Sequence, residues 1–81
     1  MFYIYILKSI NYNRIYTGLS KNPIKRLKEH NTGQTKSTKY YKPYKIIYTE
    51  KCNNRAEARK REKYLKSGIG REWIKDNFMG L

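Results

Sequence analysis

The chain has 81 residues, 19 of them Lys or Arg and 6 Asp or Glu, for a formal charge of +13 and a pI near 10.0. That length predicts a single domain over residues 1–81, with no separate DNA-targeting domain and no signal-peptide pattern. One cysteine, Cys52, and one histidine, His30, exclude an intrachain disulfide and a four-ligand zinc site, and no apolar run reaches the roughly 18 residues of a membrane span.

Phe2 to Lys8 alternates aromatic and aliphatic residues up to Ser9 and predicts a first strand. Arg14 to Leu19 predicts a second, and the short polar connection between them makes an antiparallel hairpin. "KNPIKRLKEHNTG" carries helix signals at both ends: Asn22 as cap, Pro23 at the first helical position, Gly33 as the stop. Ile24 and Leu27 are expected to form its narrow apolar face. "QTKSTKYYKP" reads as a basic loop without period, and Tyr44 to Glu50 as the third strand, with Pro43 just outside it. Asn54 and Glu57 resemble a capping box for a second helix ending at Gly68. "GREWIKDNF" predicts a short last helix that turns Trp73, Ile74 and Phe78 inward. The expected class is α+β, a small three-stranded antiparallel sheet flanked by helices in the order β-β-α-β-α-α.

A pI this high in a folded domain is the footprint of a nucleic-acid binder. Against that background Glu62 breaks the pattern. Ala58, Glu62, Leu65 and Ile69 fall on one helical stripe, so the sheet-facing side carries a carboxylate while the cations point elsewhere. Such a group needs a cation or a metal beside it; an ion pair with an arginine and a hard divalent ion are the two readings. Arg26 and His30 are four apart on the first helix and share a side that flanks the Ile24/Leu27 face. An arginine there can hold a phosphate bidentately, and a histidine can carry a proton near neutral pH. Tyr5 faces opposite to Ile4 and Ile6, and Tyr16 opposite to Ile15 and Thr17. Both hydroxyls could enter one pocket, or both rings could pack under a helix.

The ordered set "YIY" (Tyr3-Ile4-Tyr5), "YTG" (Tyr16-Thr17-Gly18), "PIKRLKEHN" and "AEARKREKYLK" resembles the GIY-YIG nuclease superfamily. The likeness is to its small stand-alone bacterial members, related to the incision domain of the excision-repair nuclease. Tyr3 stands where the first signature has Gly, and Thr17 where the second has Ile. By position, the resemblance makes Tyr5, Tyr16, Arg26, His30 and Glu62 catalytic, with Glu62 as the single acidic metal ligand and Tyr3 and Gly18 in support. Asn77 is a candidate for a polar residue that follows the glutamate.

What the resemblance implies is a metal-dependent endonuclease that hydrolyses DNA phosphodiester bonds in repair or recombination, with one Mg²⁺ or Mn²⁺ per site. Arg26 would pair with the scissile phosphate, Tyr5 would act as base with its pKa lowered by nearby cations and the metal, and His30 would assist by hydrogen bond. Tyr16 would orient water or phosphate, and Gly18 would let backbone approach the phosphate or the helix. The sequence does not choose among Tyr5, Tyr16 and His30 for the base. Lys25, Lys36, Lys39, Lys42, Arg59 and Lys63 are expected to track the DNA backbone, which gives affinity but little sequence choice. DNA is the expected partner, with RNA left open, a protein partner for targeting, no membrane, and a cytoplasmic setting. The alternative is a non-catalytic nucleic-acid-binding module of the same fold, and a thiol hydrolase built on Cys52 and His30 is a third reading.

Overall fold

The computed structural model describes residues 1–78, so the domain limit expected at residue 81 lies outside the described residues. Strands β1 (Phe2–Ser9), β2 (Ile15–Ser20) and β3 (Tyr44–Cys52) and helices α1 (Pro23–Asn31), α2 (Arg55–Lys66) and α3 (Gly68–Phe78) follow the expected order. The sheet is antiparallel with strand order β2-β1-β3. The loop expected to lack regular structure holds a 3₁₀ turn at Lys39–Tyr41.

Because β1 is the middle strand, its alternate side chains feed two separate cores. Ile4 and Ile6 join Cys52, Ala58, Leu65 and Ile74 beneath α2 and α3. Tyr5 and Leu7 join Tyr44 on the α1 side, with Tyr16, Leu27, Tyr41 and Ile46 packed around them. Ile6 pairs with Tyr48 but Leu7 with Ile46, so Ile47 is the extra residue of a bulge in β3. The bulge lets Ile46 face the α1 core while Ile47 and Tyr48 both pack on the other.

The helix starts are set locally. Asn22 Oδ1 accepts the Lys25 N–H at 3.2 Å, and Asn54 Oδ1 accepts the Glu57 N–H at 2.8 Å. Gly33, at φ +80°, turns the chain out of α1 in a conformation that favours glycine. α2 ends at a Ser67 cap rather than at Gly68, which opens α3. At Gly70 a side chain would run into the Tyr64 carbonyl and the Leu65 backbone, so α3 can lie against the end of α2 only because glycine is there. Ile74 is buried, and Trp73 and Phe78 pack with Tyr48, all as expected.

Two apolar assignments are corrected. Ile24 is 69% exposed and Ile69 is 70% exposed. α1 is rolled so that Leu27 and His30 face the sheet, and Ile69 lies past the end of α2, where the stripe no longer continues. The roll of α1 is held by Asn31, whose Nδ2 donates to the Tyr44 carbonyl at 3.0 Å while its Oδ1 accepts the Tyr44 N–H at 2.6 Å. On the opposite face Arg61 Nε donates to Glu50 at 2.8 Å, and the Tyr48 hydroxyl donates to the same carboxylate at 2.6 Å, tying α2 to β3.

Candidate active site

Period-2 alternation in β1 and β2 puts Tyr5 and Tyr16 on the α1 side, with ring centroids 6.2 Å apart. α1 then lays His30 over them, 4.7 Å from the Tyr16 ring and 6.2 Å from the Tyr5 ring. His30 is fully buried rather than flanking the apolar face, and both its nitrogens are partnered. Nε2 lies 3.3 Å from the Tyr5 hydroxyl and Nδ1 lies 2.8 Å from Thr38 Oγ1. The Thr38 hydroxyl donates its one proton to the Thr35 carbonyl at 3.3 Å. With the proton so placed, Oγ1 accepts from Nδ1–H and Nε2 offers its lone pair to the Tyr5 O–H. The result is a buried chain, Tyr5 to His30 to Thr38 to the Thr35 backbone.

Thr38, 2% exposed, was not found from sequence. The only signal was a threonine within a basic loop, and that loop has no period to reveal which residue turns inward.

Electrostatics fix the resting protonation states. Burial holds the Tyr5 phenol above its ordinary value, with the Arg26 guanidinium opposing it. Tyr5 is therefore a neutral phenol in the free protein: Arg26 acts in the expected direction, and burial outweighs it. Burial, and behind it the charge of Arg26, hold His30 below its ordinary value, so it is a neutral acceptor. Arg26 sits beside Tyr5 and pairs with Glu29 one turn on.

Gly18 is the cross-strand partner of Tyr5. The space a side chain would need there is filled by the Tyr5 phenol and the Tyr16 ring, not by a helix. Tyr3 is half-buried at the other end of the strand, opposite Ser20 and Lys51.

A cleft of about 520 Å³ opens beside this cluster. It straddles the outer edge of β2: Tyr16 and Thr17 form its floor, Thr38 and Tyr41 its α1-side wall, and Leu65, Lys66 and Arg71 the other. Glu62 does not touch the tyrosines and His30 directly; it pairs with Lys66, 3.1 Å away. Its partner is a lysine rather than the expected arginine. Nor do the cations point away from it, since Arg59, Lys60, Lys63 and Lys66 share a groove with Glu62. Lys25, Lys36, Lys39, Lys42, Arg59 and Lys63 are all exposed. Asn77 is exposed on α3, where its Nδ2 donates to the Trp73 carbonyl. Cys52 is buried in the α2/α3 core, across the sheet from His30, and burial raises its thiol pKa, which removes the thiol-hydrolase reading.

Residues 1–73 match the GIY-YIG catalytic domain. The chain belongs to the GIY-YIG family. It is similar to a UPF0213 protein of Clostridium perfringens, 43% identical over 67 residues that cover 82% of this chain and 71% of the relative. A UPF0213 protein of Staphylococcus saprophyticus is 41% identical over 66 residues, 80% of this chain and 79% of the relative. One from Staphylococcus aureus is 36% identical over 66 residues, with the same coverage of 80% and 79%. No solved structure matches the chain.

GIY-YIG nucleases use divalent metals, and the donor set here can be tested against that need. Among the described residues no three His, Cys, Asp or Glu side chains cluster. Of the carboxylates, Glu29 lies by the cluster but is taken by Arg26, and Glu62 is paired with Lys66. An ion such as Mg²⁺, commonly held by one or two carboxylates with water and substrate phosphate completing its shell, could be held by Glu62 only in competition with that lysine. Among the described residues no helix is long and apolar enough to cross a membrane.

Proposed function

We propose that this chain is a divalent-metal-dependent endonuclease that hydrolyses DNA phosphodiester bonds, acting in the cytoplasm in repair or recombination with a protein partner for targeting. The observation that carries the reading is the buried Tyr5–His30–Thr38 chain ending beside Arg26. A purely structural core has no need of a neutral histidine bonded to a phenol on one side and to a hydroxyl on the other.

Arg26 has donors beyond those used on Glu29 and takes the scissile phosphate, stabilising the charge that builds on it in the transition state. The attacking water gives its proton to the Tyr5 oxygen as the Tyr5 proton passes to His30 Nε2. The new imidazolium keeps Nδ1–H on Thr38, so the ring does not turn during transfer. Tyr16, tilted against the His30 ring, orients the water or the phosphate. Glu62 would hold the divalent ion, which when bound would supply Lewis-acid stabilisation of the phosphate oxygens. Lys25, Lys36, Lys39, Lys42, Arg59 and Lys63 hold the flanking backbone.

A non-catalytic binder of the same fold is the second reading, favoured by the Glu62–Lys66 pair, which gives the carboxylate a structural partner. One assay separates them: nicking of supercoiled plasmid with Mg²⁺ or Mn²⁺ by wild type and Glu62→Ala, with DNA binding followed in parallel. Metal-dependent nicking that vanishes in the variant while binding survives supports the nuclease. Equal binding with no nicking by either protein, on branched substrates too, supports the binder.

A further inference from the structure

Arg14 has an unusual setting for an exposed arginine. Its guanidinium carbon lies 4.3 Å from the Tyr41 ring centroid, and its Nη2 donates to the Tyr41 hydroxyl at 2.9 Å. Tyr12 meets the Tyr41 ring edge-on, with centroids 5.4 Å apart and planes at 81°. Among the described residues no carboxylate pairs with Arg14, so its charge is uncompensated.

The arrangement is rigid because buried Ser9 ties its two loops together. Ser9 Oγ donates to the Tyr41 carbonyl at 2.6 Å and accepts the Tyr12 N–H at 3.1 Å. The Ile10 N–H adds a bond to the Pro43 carbonyl at 2.9 Å. Tyr12 remains 52% exposed, and Arg14 and Tyr41 line the cleft beside Tyr16.

We infer that Arg14, held against the Tyr41 ring at the mouth of the cleft, is a stacking platform for an unpaired DNA base. The inference rests on the nucleic-acid reading above and names its substrate class. Arginine planes and tyrosine rings stack on bases whose faces are free. A base inside a duplex has both faces covered by its neighbours, so only a single-stranded arm, a flap or an extruded nucleotide can use this surface. The uncompensated charge adds attraction for the adjoining phosphate. DNA with unpaired nucleotides next to the cleft is therefore preferred over continuous duplex.

The test uses oligonucleotides carrying 2-aminopurine, a base whose fluorescence is quenched on stacking, in the arm of a splayed fork, with EDTA present to prevent cleavage. Wild type is expected to bind the fork at least about fivefold tighter than a duplex of equal length, and to quench the probe. Arg14→Lys keeps the charge and loses the plane. It should abolish the preference and the quenching while leaving duplex affinity within about twofold. Equal fork and duplex affinity in wild type, or quenching unchanged in Arg14→Lys, overturns the platform. Quenching and preference that survive alongside a failed plasmid-nicking assay overturn the nuclease reading and support the platform. Failure to bind any DNA overturns both.

Discussion

The Tyr5 hydroxyl occupies the space that a side chain on Gly18 would fill: a Cβ there would stand 2.7 Å from the phenol oxygen and 2.8 Å from its ring carbon. The glycine of the second signature thus makes room for the tyrosine of the first. Gly18→Ala should displace the phenol from His30, destabilise the fold by about 1–3 kcal/mol as other overpacked cores do, and lower nicking at least about tenfold. Unfolding in urea and plasmid nicking on the same preparation would check both effects. Unchanged activity would remove Tyr5 from the proposed chemistry.

Thr38 offers a cleaner separation of hydroxyl from shape. Thr38→Val keeps the volume and leaves Nδ1–H of a fully buried histidine without an acceptor, a loss of roughly 1–3 kcal/mol. Nicking should fall with it, and Thr38→Ser should restore most of both. If valine and serine behave alike, the hydroxyl is not what holds the ring.

pH acts through His30. Its folded pKa lies below the ordinary value of 6.5 because of burial, so the unfolded chain takes up a proton more readily than the folded one. Stability is therefore complete above that ordinary value and declines as pH falls below it, by at most about 1.4 kcal/mol per pH unit. Nicking should hold through the start of that decline and be lost at lower pH, where folded His30 itself takes up the proton and can no longer accept from Tyr5. Urea unfolding of wild type and His30→Gln between about pH 5 and 7.5 tests the linkage; parallel curves would refute it.

Lys66 competes with any cation for Glu62, and Arg59, Lys60 and Lys63 crowd the same groove. Mg²⁺ should bind the free protein weakly and more tightly once DNA phosphate has neutralised those cations. Lys66→Ala should raise Mg²⁺ affinity about two- to fivefold, the worth of a modest exposed ion pair, and Glu62→Gln should abolish binding. Thermal shift against Mg²⁺ concentration, with and without DNA, reads this apart from cleavage.

The exposed lysines carry a quantitative expectation of their own. Each lysine on a phosphate contributes close to one unit to the slope of log affinity against log salt. Lys39→Ala should lower that slope by about one, without changing which DNA structure is preferred. A flat dependence in wild type would remove the backbone-tracking role.

The fold was legible because its determinants are local: alternation in the strands, Asn22 and Asn54 at the helix starts, Gly33 at a turn of positive φ. The inward face of α1 was not. Hydrophobicity points to Ile24 with Leu27, whereas Leu27 with His30 is buried, because His30 finds polar partners 25 and 8 residues away. No pattern within a helix encodes partners at that distance. The same reason hid Thr38 and the Arg61–Glu50 tie. The resemblance placed Tyr5, Tyr16, Arg26 and His30, which do lie together; it gave no sign that Glu62 would be paired to a lysine on the far side of the β2 edge.

An outer strand is a hazard as well as a foundation, because its free backbone groups can template pairing with another molecule of the same chain. Here the cleft lies across that edge, flanked by Arg14, Lys66 and Arg71, in a protein of charge +13. A second copy approaching β2 meets its own repulsive charge, whereas a polyanion is drawn in. The cations that face the cleft therefore act as gatekeepers against self-association. Neutralising them for the sake of weaker binding would be expected to cost solubility before it cost the fold.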